Sequence, residues 1–445
     1  MTGFEFSEIF GEFGKYLPDI GEYALAALNF IWPFVALVLL IAVLRSTWLF
    51  WRQTLFEHSI QFVLLELRIP REVRKSPRAM EQVLMAIHSL RNTANDLQEK
   101  YWDGEVTRWY ALEIASFSGE THFYIRTYHK QRRLVEAAFF SYYPDVEVVE
   151  VPDYIDRMPA SIAEMEEQGY DVWGSEMKLA KEDAYPIRTY TDFEAPDEER
   201  QFDPIANFLE MLGKLKQGEM VGIQIIIAPE GPEWAEHWED LVEKLQESKK
   251  KEKRAITGEG ETESFSSFTV RTPGQTDVLK AVEKNLSKPA FETILRFVYF
   301  SPKSIFYDSF ARRGITGAFN QYGSLDTNRF VQNYSVSTRT KIWNFPYIFP
   351  HTRNEYRQRR LIFNYRHRQP PPEVFMGRIL TSTFFNWNTH SRWFSMNAEC
   401  IATVFHPPTF LVLTAPHIQR MESRKVGPPA GLAIYGDEKD LSDFQ

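Results

Sequence analysis

The chain contains one long segment without a charged side chain, from Ala24 to Leu44, with the sequence ALAALNFIWPFVALVLLIAVL. As a helix this segment would be about 30 Å long, which matches the hydrocarbon thickness of a bilayer. A buried helix of a soluble protein is usually shorter or keeps a polar face, whereas this segment has no polar face. A cleaved signal peptide would need a shorter apolar core and a small-residue cleavage site, which the sequence after Leu44 lacks. We therefore predict a transmembrane helix at residues 24–50.

The charges that flank this segment predict its orientation. Acidic residues dominate before it, whereas Arg45 and Arg52 follow it. Because basic flanks stay on the cytoplasmic side of a membrane, we expect residues 1–23 to be extracytoplasmic and the bulk of the chain to be cytoplasmic. Trp48 and Trp51 fall where the second membrane interface would lie. The sequence thus predicts a single-pass protein of the inner membrane, with the bilayer as one partner.

Sequence motifs for known chemistry are missing from the chain. Its single cysteine, Cys400, excludes an intramolecular disulfide and a cysteine-clustered zinc site, and its apolar neighbours predict a position in the core. The sequence contains no phosphate-binding glycine loop, no H-E-x-x-H and no G-x-S-x-G. We therefore expect no enzyme activity, no catalytic or metal-binding residue and no cofactor.

Residues 62–154 follow the order strand, helix, strand, strand, helix, strand. The first strand is predicted at Phe62–Pro70, and Ser76 followed by Pro77 opens the first helix. A turn at Ser118 and Gly119 joins the next two strands as a hairpin. This order is typical of a ferredoxin-like domain, a fold that hosts many functions.

The pattern recurs less regularly over residues 174–300, which we predict as a second ferredoxin-like unit. The fold class is accordingly α+β, with an internal duplication after the membrane helix. Between the predicted elements lies a polar stretch, residues 248–267, rich in lysine and glutamate. We interpret it as a mobile insertion; a solvated loop is the favoured interpretation and nucleic-acid contact the alternative.

The region 301–426 is basic and aromatic. Between residues 303 and 368 the sequence has twelve lysines and arginines against three acids, with aromatic residues interleaved. This mixture suits single-stranded nucleic acid, whose phosphates pair with guanidinium groups and whose bases stack on rings. Anionic lipid headgroups near the membrane helix are an alternative. The third interpretation is an ordinary domain whose arginines pair with acids elsewhere, since the chain as a whole is acidic.

Six arginines at the end of the 303–368 stretch are the candidate contacts to nucleic acid or another anionic partner. They are Arg353, Arg357, Arg359, Arg360, Arg366 and Arg368. Beyond them, residues 378–385 are predicted to form a strand and residues 397–405 a short helix. Residues 427–445 are predicted as a linker-like tail.

Six short runs carry a family resemblance: residues 67–72, 75–83, 185–190, 218–219, 223–226 and 397–408. Together they resemble the membrane-proximal region of bacterial type IV secretion or conjugation ATPases, of the coupling-protein and HerA-like class. The resemblance extends from Phe62 to about Leu432. In those relatives a P-loop motor domain follows the last run, whereas the sequence to Gln445 has no P-loop. No catalytic residue is therefore carried over.

The resemblance implies a membrane-anchored, non-enzymatic scaffold on which a separately encoded P-loop ATPase docks during DNA transfer. Motors of this class form rings, so further copies of the chain are also expected partners. The alternative is a membrane-tethered module that binds single-stranded nucleic acid directly through the basic region. A third hypothesis is an enzyme of unfamiliar type, which a deep pocket with convergent polar groups would favour.

Overall fold

The computed structural model describes residues 6–70, 73, 75–194, 202–247, 272–339, 341, 343, 347–388, 390–409 and 420–421. These residues form two compact units. The first contains the chain up to Ile60 together with Thr93–Val106 and Pro371–His390; the second contains Gln61–Asn92, Thr107–Pro370 and the chain from Ser391 onward. The predicted insertion at 248–267 and the predicted tail at 427–445 lie outside the described residues.

The α-helices of the described residues lie between Phe6, where the first begins, and Val404, where the last ends. They are α1 (Phe6–Ser59), α2 (Pro77–His88), α3 (Arg132–Tyr142), α4 (Ile162–Glu167), α5 (Ala206–Leu212), α6 (Glu233–Glu236), α7 (Glu239–Glu247), α8 (Pro273–Leu286), α9 (Thr316–Ala318), α10 (Pro350–His367), α11 (Phe375–Leu380) and α12 (Ala398–Val404). Helix α2 begins as predicted, because Ser76 caps it and Pro77 occupies its first turn.

The first unit is built around α1. Its portion Asn29–Ser59 is long and apolar enough to cross a membrane, with a mean hydropathy of 2.1 over an exposed window. This confirms the predicted apolar helix. Helical hydrogen bonding continues on both sides of the uncharged segment, so α1 is longer than predicted and includes much of the expected extracytoplasmic N-terminus. A π-helical turn at Glu99–Asp103 and helix α11 complete the unit.

The predicted strand at residues 378–385 is wrong. Helix α11 occupies the first part of that segment, and the amide of Thr381 donates to the Gly377 carbonyl at 3.0 Å. A tight turn follows, in which Thr383 and Asn386 exchange backbone hydrogen bonds at 3.0 Å. The segment satisfies its backbone groups locally and has no need of a neighbouring strand.

The second unit contains a mostly antiparallel sheet, which in the described residues has ten strands. They are β1 (Phe62–Pro70), β2 (Tyr110–Phe117), β3 (Glu120–Tyr128), β4 (Glu147–Val151), β5 (Tyr170–Leu179), β6 (Met220–Pro229), β7 (Ala290–Pro302), β8 (Phe330–Gln332), β9 (Phe394–Asn397) and β10 (Arg420–Met421). The order is β10-β1-β3-β2-β6-β7-β5-β8, with β4 on β1 and β9 on β7. Strand β10 lies on the same edge of β1 as β4, beyond the end of β4. Among these strands, the pairing of β10 with β1 is the only parallel one.

The regions 62–154 and 174–300 share this sheet. Strand β2 pairs with β6 along the whole length of β2, and the register places Leu112 opposite Ile225 and Ile114 opposite Ile223. Nearly every residue of both strands is buried. Two largely apolar strands with both faces covered therefore form the middle of the sheet.

Helices cover both faces of the sheet. Alternate residues of a strand point to opposite faces, as Ile114 and Ala115 of β2 do, and each faces a different core cluster. Side chains from α2, α3, α5 and α12 contribute to the larger cluster, whereas α4 and α10 contribute to the other. Cys400 of α12 is buried at 2% exposure, which confirms its predicted core position.

Candidate functional site

Helix α10 carries five of the six predicted arginines, and Arg368 directly follows it. Its inner face, with Leu361, Ile362 and Tyr365, packs on the sheet. The helix lies close to β6 because position 222 is glycine: a Cβ there would come within 1.9 Å of the Tyr365 hydroxyl. Arginines on the inner face are therefore buried, and those on the outer face remain in contact with solvent.

Arg368 lies at the centre of a buried ionic network. Its Nε and Nη2 donate to the two Glu113 carboxylate oxygens at 2.9 and 3.0 Å, and Nη2 also donates to Asp153 at 2.9 Å. Burial alone would lower the pKa of Arg368, but the Glu113 and Asp153 carboxylates raise it well above its usual value. The guanidinium is thus permanently charged and neutralised within the protein.

Neighbouring groups extend this network over the sheet. The amide of Gln224 donates to Glu113 at 3.1 Å, and the Tyr154 and Tyr365 hydroxyls are 2.7 Å apart. Arg296 of β7 is fully buried, donates to the Asn364 carbonyl at 2.7 Å and pairs with Glu176 at 3.3 Å. The network fixes the end of α10 on strands β2, β6 and β7.

The other predicted arginines differ in exposure. Arg353 is buried and donates to the Lys341 carbonyl at 2.6 Å, whereas half-buried Arg357 donates to the Ser337 carbonyl at 3.1 Å. Burial lowers the pKa of both Arg357 and half-buried Arg360. Arg353 and Arg357 therefore support the backbone at Lys341 and Ser337.

Arg366 donates to the Ile155 and Met158 carbonyls at 2.9 and 3.0 Å, and it is mostly buried. Arg359 is the exposed member of the predicted set, with 62% of its side chain accessible and one ion pair to Glu355 in the same helix. Contact of the six arginines with an anionic partner stays a prediction. Arg359 is the member of the set whose exposure best suits such a contact.

A cleft with basic and aromatic lining lies elsewhere in the same predicted region. It has a volume of about 260 Å³ and is lined by Trp173, Arg312, Gln332, Tyr334, Ser337, Arg339, Lys341 and Trp343. The Lys341 ammonium lies 4.8 Å from the centroid of the exposed Trp343 ring, and Arg339 pairs with Asp308 at 2.7 Å. We call this group the basic cleft. Apart from Trp173, its residues lie within the predicted basic and aromatic stretch, but their spacing in the sequence gave no reason to prefer them.

Three of the runs that carry the family resemblance meet in a second site. Lys288 Nζ lies 2.6 Å from a Glu81 oxygen and 2.6 Å from a Glu399 oxygen. The Thr189 hydroxyl donates to Glu399 at 2.7 Å, and the Tyr190 hydroxyl donates to Glu81 at 2.5 Å. We call these five residues the motif junction. It ties together the starts of α2 and α12, the end of α8 and the 185–190 segment.

The motif junction holds a carboxylate in its ionised form. Burial raises the pKa of Glu399, but hydrogen bonds from Lys288, Thr189 and Lys284 outweigh that effect and lower the pKa to about 2. Glu399 borders a polar cavity of about 660 Å³, together with Arg188, Asp192 and Lys284. Such a carboxylate can accept hydrogen bonds or pair with a cation at neutral pH, and it has no proton to donate.

In a third polar cavity the pKa values of two carboxyl groups are raised, whereas that of Glu399 is lowered. Its volume is about 440 Å³, and Asp183, Glu230, Glu292 and His237 are among its lining residues. Burial raises the pKa of Asp183 and of Glu230, although the backbone amide of Ser395 donates to Asp183 at 2.8 Å. In the described part of the chain, no group of three or more His, Cys, Asp or Glu side chains is arranged to hold a metal ion. Enzyme activity stays a hypothesis, and this cavity is the candidate site for it.

The end of α1 and much of the second unit lie within the match to a recognised protein family. The family model described as a domain of unknown function, DUF8128, matches residues 53–353, which is more than half of the chain. No curated protein matches the sequence. The match covers β1 to β8 and the start of α10, and therefore includes the basic cleft but ends before Arg368 and Glu399. The chain belongs to the DUF8128 family.

Proposed function

We propose that the chain is a membrane-anchored scaffold on which a separately encoded DNA-translocating ATPase docks. The observation that carries the anchoring is α1, whose portion Asn29–Ser59 is long and apolar enough to span a bilayer. Arg45 and Arg52 follow its uncharged segment, which supports a cytoplasmic position for the sheet-containing unit. The docking partner rests on the resemblance to the membrane-proximal region of coupling-type ATPases.

We also interpret the sheet as two ferredoxin-like halves joined edge to edge. The order β4-β1-β3-β2 on one side and β8-β5-β7-β6 on the other supports this interpretation, since both follow one connectivity rule. Helices α6 to α8 stand in the second half where a short hairpin turn joins β2 to β3 in the first. The two halves would give a docking partner two related surfaces.

The anchoring is tested with full-length protein in membranes of the native host. Val38→Arg places a charge in the middle of the uncharged segment, so we expect most of the protein to leave the membrane fraction. Val38→Leu is the matched control and should remain in the membrane. Equal membrane retention of both variants after carbonate extraction would contradict anchoring by α1.

Docking is tested by affinity purification of the tagged full chain from gently solubilised membranes. We expect a P-loop ATPase to co-purify in near-stoichiometric amount and to be absent from a purification of an unrelated tagged single-pass protein. Recovery of the intact chain without any such ATPase would refute the scaffold proposal, while leaving the anchoring untouched.

A second candidate function is direct binding of single-stranded nucleic acid at the basic cleft. It is favoured by the exposed Trp343 and Tyr334 rings beside Arg339 and Lys341. Binding to a single-stranded oligonucleotide should weaken steeply as salt rises, because phosphate contacts release counterions. Absence of binding at low salt by the full chain would rule this function out.

A further inference from the structure

Two segments far from α1 in sequence pack around the part of α1 that follows the uncharged run. Trp48 Nε1 donates to the Tyr101 carbonyl at 2.7 Å, and the amide of Met376 donates to the Ser46 hydroxyl at 3.2 Å. The Trp48 and Trp102 rings have centroids 6.0 Å apart. Residues 93–106 and 371–390 thus contact α1 within one compact unit. We call these two segments the collar.

The collar attaches at a defined depth. The uncharged run ends at Leu44, and a helix rises about 1.5 Å per residue, so Ser46 and Trp48 lie about 3 and 6 Å beyond that end. These are the positions to which Met376 and Tyr101 are hydrogen-bonded. If α1 spans a bilayer with the uncharged run in the hydrocarbon core, the attachment points fall in the headgroup layer.

The collar exposes large apolar side chains. Trp102, Phe375 and Phe384 are 65%, 68% and 64% exposed. Exposed apolar residues in the same two segments also include Leu97, Leu380 and Trp387. Phe384 and Phe385 form the tip of the turn closed by Thr383 and Asn386, with their rings in edge contact at 5.1 Å. A patch of aromatic residues next to a spanning segment is the pattern that proteins place at a membrane interface.

The collar is also closely fitted to α1. Position 377 is glycine, and a Cβ there would lie 2.5 Å from the Phe50 ring. Gln53 contributes a further hydrogen bond to Glu373 at 3.4 Å, and the Arg45 guanidinium lies 5.0 Å from the centre of the Tyr101 ring. Close backbone approach and polar contacts therefore hold both segments of the collar against α1 just beyond the uncharged run.

We infer that the collar is a second membrane contact, in which Trp102, Phe375 and the Phe384 turn insert into the interfacial layer of the phospholipid bilayer around α1. The inference rests on the proposed anchoring by α1. A single membrane helix leaves the tilt of the attached chain free. Insertion of Trp102, Phe375 and the Phe384 turn beside α1 would restrict that tilt, so the collar would differ from a simple tether. Aromatic side chains suit this layer because their rings partition to the headgroup level.

The inference is tested by placing single labels on the full chain in nanodiscs of phosphatidylcholine and phosphatidylglycerol. Cysteines introduced as Trp102→Cys, Phe375→Cys or Phe384→Cys each receive an environment-sensitive dye. The native Cys400 is buried, and the labelled native chain measures its background. Val38→Cys is the control for the membrane interior, and Leu325→Cys, at an exposed apolar residue of the other unit, is the control for water.

We expect the three collar labels to show blue-shifted emission, quenching by spin-labelled lipid, and several-fold less iodide quenching than the Leu325→Cys label. Collar labels as accessible to iodide as the Leu325→Cys label would overturn the inference if the Val38→Cys label is lipid-quenched. A Val38→Cys label that is itself accessible to iodide would instead refute anchoring by α1, and the collar inference with it.

Discussion

Arg368 in the interior and the cations of the basic cleft come from the same basic stretch of sequence but have different environments. Arg368 is buried between Glu113 and Asp153, whereas Arg339 is half exposed and pairs with Asp308 on the surface. A buried charge without its partner is strongly unfavourable, so Arg368 has a structural role. An exposed charge pairs weakly and remains available to other molecules. Environment, and not residue type, separates the two roles.

The largest expected effect is on Arg368. Replacing it as Arg368→Met leaves Glu113 buried without its cation, and we expect a loss of about 3–5 kcal/mol in the free energy of unfolding. Chemical unfolding of the full chain in detergent, followed by circular dichroism, measures it. Arg359→Met, at an exposed pair within one helix, is the matched control and should change stability by less than about 0.5 kcal/mol.

A double variant sharpens this prediction. Arg368→Met combined with Glu113→Gln removes the uncompensated charge, so the loss should be smaller than the sum of the two single losses. Similar stability of Arg368→Met and Arg359→Met would break the distinction between the buried and exposed arginines.

The next effect concerns the pH dependence of the motif junction. The pKa of Glu399 is lowered from 4.5 to about 2 in the folded chain, so its contribution is fully present above pH 4.5 and is lost as pH falls toward 2. The ionised carboxylate contributes up to about 3 kcal/mol at neutral pH. Glu399→Gln should therefore be less stable than the native chain at pH 6, and the difference should shrink by pH 3. A difference that is constant between these pH values would contradict the role of Glu399.

A smaller loss is expected where α10 lies against the sheet. In Gly222→Ala the new methyl group would overlap the Tyr365 hydroxyl, which is buried and bonded to Tyr154. We expect a loss of about 1–3 kcal/mol from overpacking. Calorimetry of the full chain in detergent compares it with Gly274→Ala, where nothing lies within 4 Å of the new atom. Equal melting temperatures would show that α10 is less closely held than its arginines indicate.

The smallest effect on stability, and the largest on binding, is expected in the basic cleft. Arg339→Gln with Lys341→Gln should change the free energy of unfolding by less than about 1 kcal/mol, because both groups are exposed. If the cleft binds single-stranded DNA, the slope of log affinity against log salt should fall by about one for each phosphate that the variant no longer neutralises. Fluorescence anisotropy with a labelled oligonucleotide measures the slope. Unchanged affinity and slope in the double variant would remove the cleft as a binding site.

Much of the local structure could be predicted because periodicity and end signals are local. The apolar run ended by proline at Phe62–Pro70 predicted β1, and the capping pair at Ser76 and Pro77 predicted the start of α2, as the structure has them. The strand predicted at residues 378–385 was wrong because local signals are ambiguous there. A short apolar run is compatible with strand or helix, and packing decides between them. The candidate site was harder to predict, since residue spacing places Arg359 and Arg368 in one basic pattern but does not give their depth.

Local sequence was sufficient to predict the apolar helix, the α+β class and the presence of a basic, aromatic region, because length, periodicity and composition are properties of short segments. The folded structure was needed to show that β2 pairs with β6, that Arg368 is buried between Glu113 and Asp153, and that the segments around Tyr101 and Met376 contact α1. Each of these involves residues separated by more than fifty positions. Such contacts form where burial, register and charge neutralisation are satisfied together, and no single segment of the chain contains that information.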